Sequence, residues 1–364
     1  MDNKITRRQF AIGSSMAVGA VAASSTLAKA QSKNSLKNKV DPLAVPKGQK
    51  QFSYETVISN DALSINLPVG IINGATEGPT LAITGGIFGT EYCGIEAASR
   101  IYRDLDPKDV KGRLIIIPVV NMPAFQFRNP SIVMANGNNP IDGKSVNQCF
   151  PGDKDGSVSE ILAHYVFHNL VSKADYLIDL RGGDLEENHL LHTMFANQST
   201  ERVNRISREM ALATGFKYYQ SRGLRPGSLY GTALASDIPA MITQSGAGYK
   251  TQPEEKNINH HIKAVTNVMK HFSMLDGEPE AAEKHYELSS RYIVVSAKNS
   301  GTFHAEKDPG HVLKKGHVIG RITSLDGSVL EEVTAPEDGV LHTVFVRRVV
   351  TKGDTLSYML QQVG

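Results

Sequence analysis

Three short apolar runs rich in Ile, Val and Leu, TLAITGGI (80–87), GRLIIIPVV (112–120) and ADYLIDL (174–180), constrain the fold more than any other feature. A strand with one face in water alternates polar and apolar residues. Strands as continuously apolar as these are buried on both faces, which requires helices on both sides of the sheet. Helical patterns fall between them at 92–105 and 159–173, the second with Ser and Glu in its first turn. PAMITQS (239–245) reads as a later strand and 254–275 as a closing helix. The alternation predicts an α/β three-layer sandwich with a mostly parallel, mixed sheet. From about Arg291 the pattern changes to short alternating strands punctuated by glycine, the mark of a small all-β domain. The expected organisation is an α/β domain over 51–280 and a β-rich domain over 281–364, with the polar, Pro42- and Pro46-containing stretch 31–50 as a loose lead-in.

The first thirty residues read as an export signal. Arg7 and Arg8 precede Phe10 and an alanine-rich run from Ala11 to Leu27, too short and too mild for a membrane span. Ala28-Lys29-Ala30 offers a small-x-small cleavage site, so the mature chain would begin near Gln31. Paired arginines favour the bacterial twin-arginine export machinery and a periplasmic destination; an uncleaved anchor is the alternative. Lys and Arg total 39 against 37 for Asp and Glu, with no long run of one sign, which gives no electrostatic basis for a nucleic-acid partner. Outside the cytoplasm the two cysteines, Cys93 and Cys149, could pair if the fold brought them close enough.

The stretch ITGGIFGTEYCGIEAA (83–98) places an acid, Glu91, after a glycine turn at the mouth of an expected helix. Further segments share its character: Asn121-Met122-Pro123-Ala124 with Arg128, Asn147-Gln148-Cys149-Phe150-Pro151-Gly152, Asp179-Leu180-Arg181, and Ile242-Thr243-Gln244-Ser245-Gly246. Together they resemble the succinylglutamate desuccinylase and aspartoacylase family, a branch of the zinc carboxypeptidase superfamily. The tail, with APEDGVL and VVTKGDTL, resembles the barrel-sandwich of biotinyl and lipoyl carriers but lacks their Met-Lys-Met attachment site, so it reads as a structural or pocket-covering appendage.

The family resemblance implies a zinc held by His, Glu and His with a Glu as general base. At those positions this chain has Phe88, Glu91, Arg181 and Gln244. Phe88 has no electron pair to donate, Arg181 is a permanent cation, and the Gln244 amide does not exchange protons near neutral pH. The expectation is therefore no zinc and no other cofactor. An Arg181–Glu91 ion pair would stand in its place, one positive charge against one negative with Gln244 neutral. The resemblance also implies a small-molecule site: Arg128 to grip a carboxylate, Asn147 and Gln148 beside it, Arg181, and Tyr249 as a pocket residue.

Other candidates are weaker. His164 and His168 share a helix face without a His-Glu-x-x-His pattern. His189 and His192, three apart in a strand, should face opposite ways. A cysteine could serve as nucleophile only beside a base, and none is visible in the sequence. The leading reading is an exported protein with deacylase architecture that binds a small carboxylated or amide-bearing molecule. The alternatives are a hydrolase of acyl groups or a lyase with a rearranged site, and, more distantly, a partner-binding module.

Overall fold

A computed structural model describes residues 40–60, 62–127, 138–184, 186–247, 254–346 and 348–363. The expected signal peptide, the first part of the lead-in (31–39), Arg128 and Tyr249 lie outside the described residues. Residues from Asp41 onward form one compact unit. Its first eight strands are β1 (Gln49–Ser59), β2 (Ser64–Asn73), β3 (Thr76–Gly85), β4 (Lys111–Ile117), β5 (Tyr176–Arg181), β6 (Glu187–Ala196), β7 (Tyr218–Arg222) and β8 (Ala240–Ala247). Ten more follow: β9 (Tyr286–Leu288), β10 (Ile293–Ser296), β11 (Gly301–Ala305), β12 (Val312–Leu313), β13 (Val318–Thr323), β14 (Val329–Thr334), β15 (Gly339–Phe345), β16 (Val349–Val350), β17 (Thr355–Leu360) and β18 (Gln362–Val363). The helices are α1 (Tyr92–Asp104), α2 (Met122–Phe127), α3 (Val158–His164), α4 (Glu201–Ala213), α5 (Leu229–Ala235) and α6 (Glu255–His271).

The large sheet is mixed, running β1-β2-β4-β3-β5-β8-β6-β15-β17-β10. The three apolar runs form its parallel centre: β3 pairs in parallel with β4 and β5, and β5 with β8. Leu81, Ile83, Ile116, Ile178, Leu180 and Met241 point to one face and pack with Ala97 of α1, Met210 of α4 and Val265 of α6. The alternate residues Ala82, Ile115, Leu177 and Ile242 turn to the other face, and α5 lies along β5 and β8 outside that cluster. Fully burying each such Ile or Leu contributes about 1.5–3 kcal/mol, so the central strands are a stiff base for whatever sits at their ends.

The antiparallel hairpin β1–β2 extends the sheet at one edge. The single helix expected over 159–173 is three pieces: α3, whose Glu160 accepts from the Ser157 N–H at 2.8 Å, a π-helical turn Tyr165–Leu170, and a 3-10 turn Val171–Lys173. The tail adds a second sheet, β14-β13-β11-β16, with its own core of Phe303, Ile319, Ile322, Leu341 and Met359. It is joined to the main sheet through β15, which pairs antiparallel with β6 at Thr343↔His189, Val344↔Asn188 and Phe345↔Glu187.

A file of histidines crosses that junction. His189 and His192 do not diverge as strict strand alternation predicts, because a register shift lies between them where β6 pairs β8, and both rings contact His342 of β15. His192 Nδ1 lies 2.9 Å from the Leu190 carbonyl oxygen, which only accepts, so that nitrogen carries the proton. His192 Nε2 then accepts from His342 Nε2–H at 3.3 Å. His342 Nδ1 in turn accepts from the Thr343 hydroxyl at 2.7 Å, and the Thr343 oxygen accepts from His189 Nδ1–H at 2.9 Å.

This order requires His192 and His342 neutral, and burial lowers both pKa values, that of His192 to about 3. A base whose pKa falls on folding takes up more protons when unfolded, so stability is full above about pH 6.5 and is lost as pH drops below it. Each such imidazole steepens the loss by up to about 1.4 kcal/mol per pH unit. Denaturant midpoints measured from pH 7 to pH 4 should therefore fall less steeply for His342→Gln, whose amide can still donate to His192, than for the parent. Equal slopes would show that these rings do not carry the acid sensitivity.

Candidate functional site

The site lies where the parallel strands end, the usual place for ligands in open α/β sheets. β3 finishes at Gly85, and Gly86, at φ +59°, turns the chain away from the sheet. Phe88 follows, and Glu91 caps α1. A Cβ on Gly94 would come within 2.5 Å of the Leu180 carbonyl oxygen, so only glycine lets the first turn of α1 rest on the end of β5. That contact delivers Glu91 to Arg181.

Arg181 reaches Glu91. Its Nε donates to Glu91 Oε1 at 3.3 Å, and the Gly182 N–H donates to the same oxygen at 3.2 Å. The guanidinium has a second carboxylate partner, since Nη1 donates to Asp179 Oδ2 at 3.0 Å while Asp179 Oδ1 accepts from the Thr84 hydroxyl at 2.8 Å. Asp179 and Arg181 are two apart on β5 and share a face. The Phe88 ring completes the enclosure, its centroid 4.4 Å from the guanidinium carbon. Gln244 is the ladder partner of Arg181 on the adjacent strand β8.

This corrects the expected charge balance of one cation against one anion, because Asp179 adds a second carboxylate. Burial, opposed by Arg181 and reinforced by Asp179, pushes the Glu91 carboxyl up to about 7. Burial alone would lower the pKa of Arg181, but Glu91 and Asp179 together raise it, so the guanidinium stays charged. Glu91 Oε2 and Gln244 Oε1 are buried and have no hydrogen-bond partner among the described residues.

These side chains form one end of a cavity of about 690 Å³. Gln148, Ser145, Asp184, Glu187, His189 and Arg225 line it, and the tail closes it with Phe345, Asp354 and Tyr358. Asn147 is buried and does not line the cavity; its Oδ1 accepts from the Leu229 N–H at the start of α5 at 3.3 Å. Glu187 and His189 were missed as a pair by sequence reasoning, although an i, i+2 spacing on a strand places both on one face. His189 Nε2 donates to Glu187 Oε2 at 3.0 Å.

Cys93 and Cys149 are free thiols outside the cavity lining. Burial pushes Cys93 up to about 11 and also raises Cys149, so neither is poised as a thiolate. His164 and His168 pack ring to ring at 4.5 Å beside the π-helical turn.

The residues present do not fit a zinc ion. A guanidinium lies against Glu91 and Asp179, the neighbouring ring has no donor atom, and among the described residues no group of three His, Cys, Asp or Glu is placed to hold a metal.

An α/β sandwich with an acid at the first helix N-terminus, a cavity over the strand ends and a β-rich appendage is the architecture of a deacylase class. The Succinylglutamate desuccinylase/Aspartoacylase catalytic domain matches residues 77–272, more than half of the chain, and the protein belongs to that family. It is 29% identical over 316 residues to the N-alpha-acetyl-L-2,4-diaminobutyric acid deacetylase of Halomonas elongata, covering 84% of this chain and 90% of that protein. The succinylglutamate desuccinylase/aspartoacylase structure from Rhodobacter sphaeroides shares the fold with a TM-score of 0.75 at 24% identity, over 88% of this chain and 98% of that one. The product-bound ectoine utilization protein EutE (DoeB) from Ruegeria pomeroyi does so with a TM-score of 0.75 at 23% identity, over 87% and 98%.

An acid whose pKa rises on folding binds more protons folded than unfolded, so its contribution to stability declines as pH rises from about 4.5 to about 7 and is then constant. The stability of the parent relative to Glu91→Gln, followed by urea unfolding, should fall across that window with a slope approaching about 1.4 kcal/mol per pH unit. A difference that stays flat would mean that Glu91 is ionised throughout.

Proposed function

We propose that this protein keeps the deacylase architecture without zinc hydrolysis, and that after twin-arginine export it binds a small carboxylated or acyl-amide ligand in the cavity. The observation that carries the proposal is the Phe88–Arg181–Glu91–Asp179 cluster: a guanidinium, held by two carboxylates and covered by a ring, stands where the family resemblance places a metal. Gln244 supplies an amide where a base would be needed, and an amide cannot activate water. Arg225 lines the cavity and makes no ion pair among the described residues, so its planar fork is free to take a ligand carboxylate, the role expected from sequence for Arg128. Gln148, also in the lining, offers an amide to an acyl carbonyl. The relative from Halomonas elongata is by name a deacetylase of an N-acetylated amino acid, which supports an acyl-amide as the ligand class.

A second reading, an enzyme with a metal-independent site, draws on the Glu187–His189 pair in the lining. There the carboxylate would orient an imidazole able to move a proton.

The test of the first reading is metal content and metal affinity. The mature protein should hold no stoichiometric zinc after dialysis against a mild chelator. Phe88→His, Arg181→His and Gln244→Glu together should create zinc binding measurable by calorimetry, with hydrolysis of N-acyl amino acids returning more weakly because ligation needs fewer supporting contacts than turnover. Arg181→His alone should do worse, since it leaves Glu91 and Asp179 without their cation. One tightly held zinc per parent chain, or a folded triple variant that binds zinc no better than the parent, would overturn the proposal.

A further inference from the structure

The second sheet of the tail, β14-β13-β11-β16, is apolar on a face that an antiparallel sheet ordinarily turns to water with polar residues. Phe303, Ile322 and Val350 point into the tail core, so their strand neighbours Thr302, Thr323 and Val349 point outward. The ladder sets these in one row across all four strands, Val349↔Thr302, Thr302↔Thr323 and Thr323↔Val329. Val349 is 78% exposed, Val329 is 54% exposed, and Leu325, in the turn between β13 and β14, is 100% exposed. Single apolar residues on a surface need no explanation, but a row of them beside a fully exposed leucine is a contact face. Thr302, Thr323 and Val329 line a shallow hollow of about 550 Å³ together with His304, Arg321 and Leu325. The turn that carries Leu325 is braced: Asp326 accepts from the Ser324 hydroxyl and, at 2.9 Å, from the Ser328 N–H, the Ser324 N–H donates to the Ser328 carbonyl oxygen at 2.9 Å, and Gly327 takes φ +87°. The bonds from Ser324 and Ser328 hold the Asp326 carboxyl down at about 2, so the tip carries a fixed negative charge beside its leucine. A tip already ordered in this way loses little freedom when it docks.

We propose that the Leu325–Asp326 tip of one copy of this chain seats in the hollow of a second copy, and the reverse, in a two-fold dimer joined through the tails. The second copy is the occupant because each chain carries both halves of the contact side by side, a projecting apolar tip and an apolar hollow, and a two-fold axis uses both at once. The charges agree with the shapes. Seating Leu325 against Thr302, Thr323 and Val329 brings the Asp326 carboxylate to the wall that holds His304 and Arg321, the latter paired with Glu306 at 3.1 Å. Edge-to-edge pairing through β14, the free edge of this sheet, is opposed by Glu331 and Glu332, which would meet their own copies across the axis. The contact is therefore made by face and tip.

Sedimentation velocity of the mature protein, run from low to high micromolar concentration, should show a reversible equilibrium of monomer and dimer. Leu325→Asp should weaken the dimer about tenfold or more, the scale of losing a central apolar anchor. Its urea midpoint, compared with the parent at a concentration where both are monomeric, should not move, because a fully exposed side chain contributes nothing to the core. Val329→Lys, in the hollow, should weaken the dimer on the same scale. A parent that stays monomeric throughout overturns the proposal, and so does a dimer that survives Leu325→Asp. A dimer broken by Leu325→Asp and kept by Val329→Lys overturns it as well, since the tip then seats somewhere other than this hollow.

Discussion

The buried guanidinium of Arg181 is the group around which the rest of this site is arranged. Taking a cation out of water costs several kcal/mol, and carboxylates in good geometry are what offset it. Asp179 and Glu91 supply the carboxylates, Thr84 and Gly182 orient them, and Phe88 covers the guanidinium with its ring. None of these is independent of the others. A histidine in place of Phe88 would set a titratable ring against a fixed cation, and a histidine in place of Arg181 would leave two buried carboxylates without it. The differences from the zinc pattern therefore form one coupled unit, and their effects should be far from additive.

How legible this was from the sequence differs by element, for physical reasons. The central strands were legible because burial on both faces leaves continuous apolar runs. The β1–β2 hairpin was not, since a strand such as β1, with exposed residues along much of its length, carries no such run. The π-helical turn after His164 leaves no local signal, because its residues would suit an ordinary helix. In the site, motif positions located Phe88, Glu91, Arg181 and Gln244 and the approach of Arg181 to Glu91. Asp179 lay in the same quoted motif but escaped the charge count, because only the three-dimensional pairing of residues 179 and 181 reveals that both carboxylates share one cation. Asn147, expected to touch the ligand, instead meets the start of α5. The register shift in β6 misled the alternation rule at His189 and His192.

The β-rich tail has a mechanical role that follows from its pairing. β15 adds to the main sheet beside β6, which sets Phe345 opposite Glu187 and brings Asp354 and Tyr358 to the cavity wall. The hydrogen bonds from Glu187 through His189, Thr343 and His342 to His192 begin in that wall and end in the junction; His189 donates at both its ends, to Glu187 and to Thr343, and with neutral inner rings every donor beyond it points toward His192. A proton added at His192 leaves two donors facing each other at the 3.3 Å contact with His342, and one added at His342 sets its Nδ1–H against the Thr343 hydroxyl at 2.7 Å. His192 is also the ladder partner of Gln244, so the strand that carries the unmatched amide is the one held by this file. The fit of the cavity and the attachment of the tail are in this way two consequences of one set of hydrogen bonds. A change that loosens the junction should be felt at the ligand before it is felt in the core.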